Sequence, residues 1–361
     1  MHHRRHLVGA IAALCSNLPS AASHPLQGAN LGSWQDLGPI ALQPRQEHTA
    51  VALNETTFAL VGGIIPAEGS DGGNTPDNWA TTDMFQLYDT VTGQWTLGPP
   101  LPYAVNHANT VVVDGRVYLL GGLAPAADGN WVKTGQSYVL DDLDGGWRVL
   151  EPIPDPVARG SASVGAAGDL VFLAGGMTQL TPQSTVASVI AYNLTADRWI
   201  TDLLPDLPEP RDHAGSAVVD GTLYVVGGRA FGQNNTKDTV FALDLDDARA
   251  GWSTRAARMP TPRGGVAAAA VGDRIYTFGG EGNQAEGSNG VFSETEAYDV
   301  VSDTWEKLQR MEVPRHGSWA VAIGDGVYLP GGGVRQGGAA VQRFDVFWPP
   351  AQSNNAVLRV V

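Results

Sequence analysis

A glycine doublet closing an apolar strand recurs six times along the chain, at Gly62-Gly63, Gly121-Gly122, Gly175-Gly176, Gly227-Gly228, Gly279-Gly280 and Gly331-Gly332. Successive doublets stand 59, 54, 52, 52 and 52 residues apart. That period is too long for two-helix solenoid units and near that of a four-stranded propeller blade. Repeat arrays close as a single body, so the 361 residues are read as one large all-β unit and not as two or three domains. Composition agrees: 16% of residues are charged, and 45 glycines and 23 prolines punctuate many short strands.

Within each repeat four strands are legible. In the fourth, His213 to Val219 forms a small-residue strand, Asp220-Gly221 a two-residue turn, and Thr222 to Val226 an apolar strand ending in the glycines. Equivalent turns are expected at Asp114-Gly115, Gly168-Asp169, Gly272-Asp273 and Asp325-Gly326. Tyr88 and Trp95, Tyr192 and Trp199, and Tyr298 and Trp305 are each seven apart, and the tryptophans from Trp95 to Trp305 step by 52, 52, 53 and 53. The sixth repeat lacks a closing tryptophan strand, and the missing piece stands at the other end, where Trp34-Gln35-Asp36-Leu37 runs on to Pro44. The amino-terminal strand is therefore expected to complete the last blade and seal the ring non-covalently.

Doublets, spaced tyrosines and tryptophans, and the Pro-Arg opening repeats at Pro210-Arg211, Pro262-Arg263 and Pro314-Arg315 together resemble kelch repeats over residues 30–349. The resemblance implies a six-bladed kelch-type β-propeller. It does not by itself imply a function, because kelch propellers include binding modules and unrelated enzymes.

Residues 1–23 read as a signal peptide, with Arg4 and Arg5 before an apolar stretch from Leu7 to Cys15 and small residues at Ser20-Ala21-Ala22-Ser23. A secreted protein is expected, with residues 350–361 as a carboxy-terminal tail. The apolar stretch is too short for a bilayer, and no later segment reaches the length of a membrane span. Cleavage removes Cys15, the only cysteine, so no disulfide, thiol nucleophile or thiolate ligand is expected. It also removes two arginines and no acid, moving the formal charge from −15 to −17, a surface that repels phosphate backbones. Nucleic acid and membrane are not expected as partners; a monomer is. Asn54, Asn193 and Asn234 open glycosylation sequons.

Topology puts the starts of the innermost strands and the loops after the doublets on one face. That face is expected to carry the long loops Ile64 to Asp83 and Leu123 to Gly135, with Trp79 and Trp131 as substrate-binding aromatics, plus Phe231 and Glu281. His48, His107 and His213 each precede a doublet by 14 residues, with His316 close to the same place. Arg159, Arg211, Arg263 and Arg315 each stand 16 residues before one. The functional reading makes His107, His213, Arg211 and Glu281 catalytic and lets Arg159, Arg263, Arg315 and His316 grip a carboxylate, enolate or phenolate. Each group also has a plain structural reading: tryptophans anchoring their own loops, histidines satisfying backbone groups, arginines tying blades together, Glu281 solvated in its loop. Placement of the histidines on separate blades weighs against close metal ligation, so neither metal nor cofactor is expected.

A secreted, cysteine-poor six-bladed propeller of this kind is similar to the fungal hetero-Diels–Alderases of tropolone-sesquiterpenoid biosynthesis. That resemblance implies a cofactor-free pericyclase for an apolar or aromatic small molecule, holding a polyketide-derived quinone methide against a terpene olefin. A secreted glycan-binding propeller, or a sialate-epimerase-like enzyme, is the alternative.

Overall fold

The computed structural model describes residues 30–70 and 78–351. The signal-peptide reading for 1–23 and all but the first two residues of the tail fall outside them. Six four-stranded antiparallel sheets are arranged as blades. The first is built from Thr49–Ala52, Thr57–Val61, Phe85–Asp89 and Gln94–Leu97. In the sixth, Val321–Ile323, Gly326–Pro330 and Arg343–Trp348 are joined by the amino-terminal strand Ser33–Pro39. That strand runs antiparallel to Arg343–Trp348 with Trp34 opposite Phe347. Among the described residues helical structure is confined to short 3-10 turns such as Asp155–Val157 and Ala248–Ala250, and no helix there is long and apolar enough to cross a membrane.

Six apolar clusters fill the core between the blades, one at each pair of neighbours. Tyr118, Leu120 and Val139 of the second blade, for example, pack on Val171, Leu173 and Ile190 of the third. The sixth and first blades meet the same way, through Tyr328, Phe344 and Val346 against Phe58, Leu60 and Tyr88. The seven-residue aromatic spacing has a register cause. Tyr88 lies directly opposite Trp95, Tyr192 opposite Trp199 and Tyr298 opposite Trp305, with ring centroids 4.9, 5.0 and 5.2 Å apart. Tryptophans also bind backward. Trp147, Trp199, Trp252 and Trp34 donate their indole N–H to the carbonyls of Pro99, Glu151, Pro205 and Gln309, which leave the preceding blade.

The glycine doublets carry the ring. Both glycines of every pair have positive φ, from 57° to 140°, a region side chains rarely adopt. In that conformation the second glycine donates its N–H to the next blade: Gly63 to Val105 O, Gly122 to Arg159 O, Gly176 to Arg211 O, Gly228 to Arg263 O, Gly280 to Arg315 O and Gly332 to Arg45 O. The last of these bonds joins blade six to blade one.

Two local expectations change. The sixth turn is Gly324-Asp325, one residue earlier than Asp325-Gly326, because Ile323 pairs with Gly326. The loops carrying Trp79 and Trp131 are hairpins: Trp79–Thr81 pairs with Ile64–Pro66, and Trp131–Leu140 pairs with Arg116–Pro125 straight past the doublet. Asn54 is exposed in the first hairpin turn and its side chain caps the backbone of Thr56 and Thr57, while Asn193 ends a third strand.

Deleting Ser33–Pro39 should uncover the Arg343–Trp348 edge and strip Trp34 from Phe278 and Phe347. Trp34→Ala alone should cost about 2–3 kcal/mol, somewhat below a fully buried tryptophan, and the deletion more. Urea denaturation of both variants checks this; an unchanged midpoint would remove the strand from the closure.

Candidate functional site

Each innermost strand is preceded by a residue that turns the chain at the propeller axis. These six are Glu47, His107, Ser161, His213, Gly265 and Gly317, all in the left-handed region with φ between 49° and 63°. They form a head-to-tail ring. Glu47 N–H donates to Gly317 O, His107 to Glu47 O, Ser161 to His107 O, Gly265 to His213 O and Gly317 to Gly265 O. The remaining link runs from His213 N–H to the Ser161 hydroxyl. Four non-glycine residues in this region cost about 1 kcal/mol or more apiece. The ring bonds hold them there, and the side chains of Glu47, His107 and His213 converge on the axis.

Above the ring lies a cavity of about 500 Å³. One side is apolar: Trp79 and Trp131 stack at 5.3 Å and 27°, and Trp131 packs with Ile64, Leu123 and Met177. The other side is ionic, with Glu47, His107, His213, Arg229 and Glu281 among its lining residues. At the level of the ring the axial space narrows to about 40 Å³.

The ionic side is a connected network. His213 Nδ1 donates to Asp212 Oδ1 at 2.7 Å, which leaves Nε2 as an acceptor in the neutral ring, and Arg229 Nη2 donates to it at 3.0 Å. Asp212 also accepts from Arg229 Nε at 3.3 Å, from Gln183 and from Thr185. Glu281 accepts from Arg229 Nη1 and from the Gly337 backbone N–H. His107 Nδ1 donates to Asn106 Oδ1 at 2.6 Å, the Asn106 amide nitrogen being engaged with Thr81. Its Nε2 then faces His213 Nε2 at 3.0 Å and Glu47 Oε2 at 3.2 Å. Two imidazole lone pairs cannot confront each other at that distance, so a proton or a cation belongs between them.

Burial alone would raise the three carboxyls, yet each is depressed. Glu47 is held well below the usual carboxylate range by His107, His316 and His213. Asp212 is held at about 2 by His213 and Arg229, and Glu281 is lowered by Arg229 and His316. Burial and Arg229 lower His213. His316 is raised against its own burial by Glu281 and Glu47, whose oxygens lie 3.6 and 3.5 Å from Nδ1, ion-pair rather than hydrogen-bond separations.

Trp79, Trp131, His107, His213 and Glu281 are thus brought together around one cavity, with His316 beside it. The arginines are not. Arg159, Arg211, Arg263 and Arg315 are each at most 1% exposed and turn into their own blades. Arg159 donates to Gly175 O and Ser188 O, Arg211 to Gly227 O and Thr239, Arg263 to Gly279 O and Glu296, and Arg315 to Leu329 O and Asp345. Arg159, Arg211 and Arg263 satisfy the first-glycine carbonyl of their doublets, and all four guanidinium groups are buried away from the cavity lining. Arg211 accordingly does not reach the cavity; Arg229 lines it instead.

His48 is also displaced from the site. Blade one carries an extra residue, since Gln46 bridges Ile64 where Asn106 bridges Leu123 and Asp212 bridges Arg229. Glu47 therefore takes the position of His107 and His213. His48 drops into the core, where burial and Arg45 lower it to about 3. Arg229 was discoverable, for it follows its doublet as Glu281 follows the next. Separate blades do not keep the histidines apart, because all six turns meet at the axis. Phe231 is 61% exposed, outside the cavity lining. Asn234 lies at the cavity rim, accepting from Gln284 and Gln336.

Residues 106–332 match the KLHDC2/KLHL20/DRC7 Kelch-repeats domain. Kelch-like protein terF of Aspergillus terreus is 39% identical over 348 residues, covering 94% of this chain and 72% of that one. Beta-scruin of Limulus polyphemus is 26% identical over 308 residues, covering 84% of this chain and 32% of its own length. Kelch-like protein 38 of Rattus norvegicus is 28% identical over 263 residues, 72% of this chain and 41% of that one.

Arg229→Met should leave Asp212 and Glu281 buried against no guanidinium and cost about 3–5 kcal/mol, whereas Arg258→Met, in an exposed pair with Asp238, should stay within about 0.5 kcal/mol. Chemical denaturation of the two variants makes the comparison. A second expectation concerns His48, which stays neutral when folded while the unfolded chain protonates near pH 6.5. Stability should fall by about 2–3 kcal/mol between pH 6.5 and 4.5 from this group, and His48→Leu should remove that share of the slope.

Proposed function

The chain belongs to the kelch-repeat family, and on that premise we propose that it is a secondary-metabolite cyclase that uses its axial cavity for a hetero-Diels–Alder cycloaddition between a polyketide-derived quinone methide and a terpene olefin. The observation that carries the reading is the two-sided cavity, with stacked indoles facing an ion-paired histidine and arginine network across about 500 Å³. A volume of that order suits a drug-sized ligand or two smaller reactants.

The reaction moves electrons only within its reactants: the oxadiene and the olefin exchange π bonds for one C–O and one C–C bond, and no proton or electron is supplied or removed. The protein's task is then positioning and polarisation. The apolar wall of Trp79, Trp131, Ile64 and Leu180 takes the hydrocarbon portions, and holding two reactants in register can supply several of the ~7–11 kcal/mol available from proximity. A carbonyl directed toward Arg229 meets a donor fixed in advance by Asp212 and Glu281, so charge building on that oxygen is stabilised without reorganisation. The glycan-binding alternative draws less support. A sugar-stacking indole offers an open face, whereas Trp131 is 7% exposed and lies between Trp79 and His107, 5.3 and 6.0 Å away.

The test is incubation of the purified protein with an ortho-quinone methide generated in situ and an unstrained trisubstituted olefin, read by chiral chromatography. One dominant enantiomer above the background rate supports the proposal, and a racemic product at the background rate overturns it. Trp79→Ala should cut the rate about 10- to 100-fold with little loss of stability, and full activity in the Trp79→Ala, Trp131→Ala double variant would take the aromatics out of the mechanism.

A further inference from the structure

We propose that Glu47, His107 and His213 form a binding site for one divalent transition-metal ion of the zinc class, with an open coordination position facing the cavity. This goes beyond the cyclase reading and does not depend on it.

The distances among the three donor atoms are those of a shared ligand sphere. His107 Nε2 lies 3.0 Å from His213 Nε2 and 3.2 Å from Glu47 Oε2, and the third side, His213 Nε2 to Glu47 Oε2, is 3.8 Å. Ligands about 2.1 Å from an ion stand ~3.0 Å apart at a right angle and ~3.4 Å apart at the tetrahedral angle. A point about 2.1 Å from all three atoms therefore exists, with angles near 90°, 100° and 130°. Two imidazoles and one carboxylate with a vacant fourth position is the ligand count of a catalytic zinc site.

The groups behind the donors also fit. A metal-binding imidazole needs its second nitrogen held by an acceptor, which fixes the tautomer and aims the lone pair. Asp212 holds Nδ1 of His213 at 2.7 Å and Asn106 holds Nδ1 of His107 at 2.6 Å, so in each neutral ring the lone pair is left on Nε2, the atom that lies in the donor triangle. Gly317 makes room for Glu47, since a Cβ there would lie 2.7 Å from the Glu47 carboxyl carbon.

Charge gives a separate argument. Glu47, Asp212 and Glu281 are three buried carboxylates, and among the described residues of this network Arg229 is the one guanidinium. Two positive charges are missing. Buried charges left uncompensated are costly, and a divalent ion held by the three donors supplies both. The ion displaces one contact: Arg229 Nη2, 3.0 Å from His213 Nε2, must turn away and keep only Asp212 and Glu281.

The test uses the full-length chain, stripped with chelator and dialysed. Calorimetric titration with Zn²⁺ should show one site with Kd below about 1 μM, raising Tm by mass action, and Co²⁺ should give visible d–d absorption with the same stoichiometry. Glu47→Gln and His107→Ala should each weaken Zn²⁺ about 100-fold or more, and Asp212→Asn, which acts through His213, about 10- to 100-fold, with circular dichroism reporting that each remains folded. Absence of saturable binding by the wild-type chain overturns the proposal. So does full retention in the Glu47→Gln, His107→Ala double variant, which would place the ion on His2, His3 and His6 at the amino terminus. Should the variants not fold, anomalous diffraction from zinc-soaked wild-type crystals decides: a peak among the three donor atoms supports the site, and zinc found only elsewhere overturns it.

Discussion

Everything in this molecule depends on a backbone hydrogen bond made six times, from the second glycine of each doublet to a carbonyl of the next blade. The bond requires two consecutive left-handed residues beside crowded backbone. A Cβ at Gly332 would lie 2.9 Å from His316 O, and one at Gly280 would lie 2.8 Å from Gly264 O. Only glycine meets both demands at once, which is why the doublet is the feature that survives in every repeat. In the third, fourth and fifth blades the turn leaves the first glycine's carbonyl pointing into the blade, and Arg159, Arg211 and Arg263 answer it. Doublet and arginine are thus two halves of one device: the first passes the chain to the next blade, and the second neutralises the carbonyls this exposes.

Strain is placed differently at the axis. In the doublets, left-handed backbone costs little because glycine bears it. In the inner ring the same conformation is imposed on Glu47, His107, Ser161 and His213. Those four side chains are where the cavity floor has its chemistry, and the two glycines of the ring, Gly265 and Gly317, stand where Glu47 and His316 need space. Rigidity follows from the ring bonds and from Asp212 and Glu281, which hold Arg229, so its guanidinium is in place before any ligand arrives, the condition under which fixed dipoles stabilise developing charge most effectively.

The fold was legible because its signals are local and repeated: Gly62-Gly63 and its five copies, and a tyrosine facing a tryptophan seven residues on, report short-range register directly. The amino-terminal closure was legible as a surplus strand at one end matching a deficit at the other. The site was legible only in part. Glu281, His107, His213, Trp79 and Trp131 stood out by type and position. Glu47 did not, because it joins them through ring contacts with His107 and Gly317, 60 and 270 positions away along the chain. The arginines misled for a physical reason. Sequence spacing fixes where Arg211 leaves the backbone but not which way its long side chain turns, and the Gly227 carbonyl and Thr239 hydroxyl within reach decided that. His48 misled because one extra residue in the first blade rotates every later position there by one, exchanging a glutamate on the axis for a histidine in the core.

Closure by the strand Ser33–Pro39 also sets a clock for synthesis. This strand pairs with Arg343–Trp348, about 300 residues further along the chain. At about 5–20 residues per second it waits roughly 15–60 s for its partner. The axial site shares that delay, since Glu47 of the first blade is held by Gly317 of the last. A chain stopped anywhere before the sixth blade therefore has most of its blades and no finished site, so the cavity's chemistry appears only in molecules whose translation has run to completion.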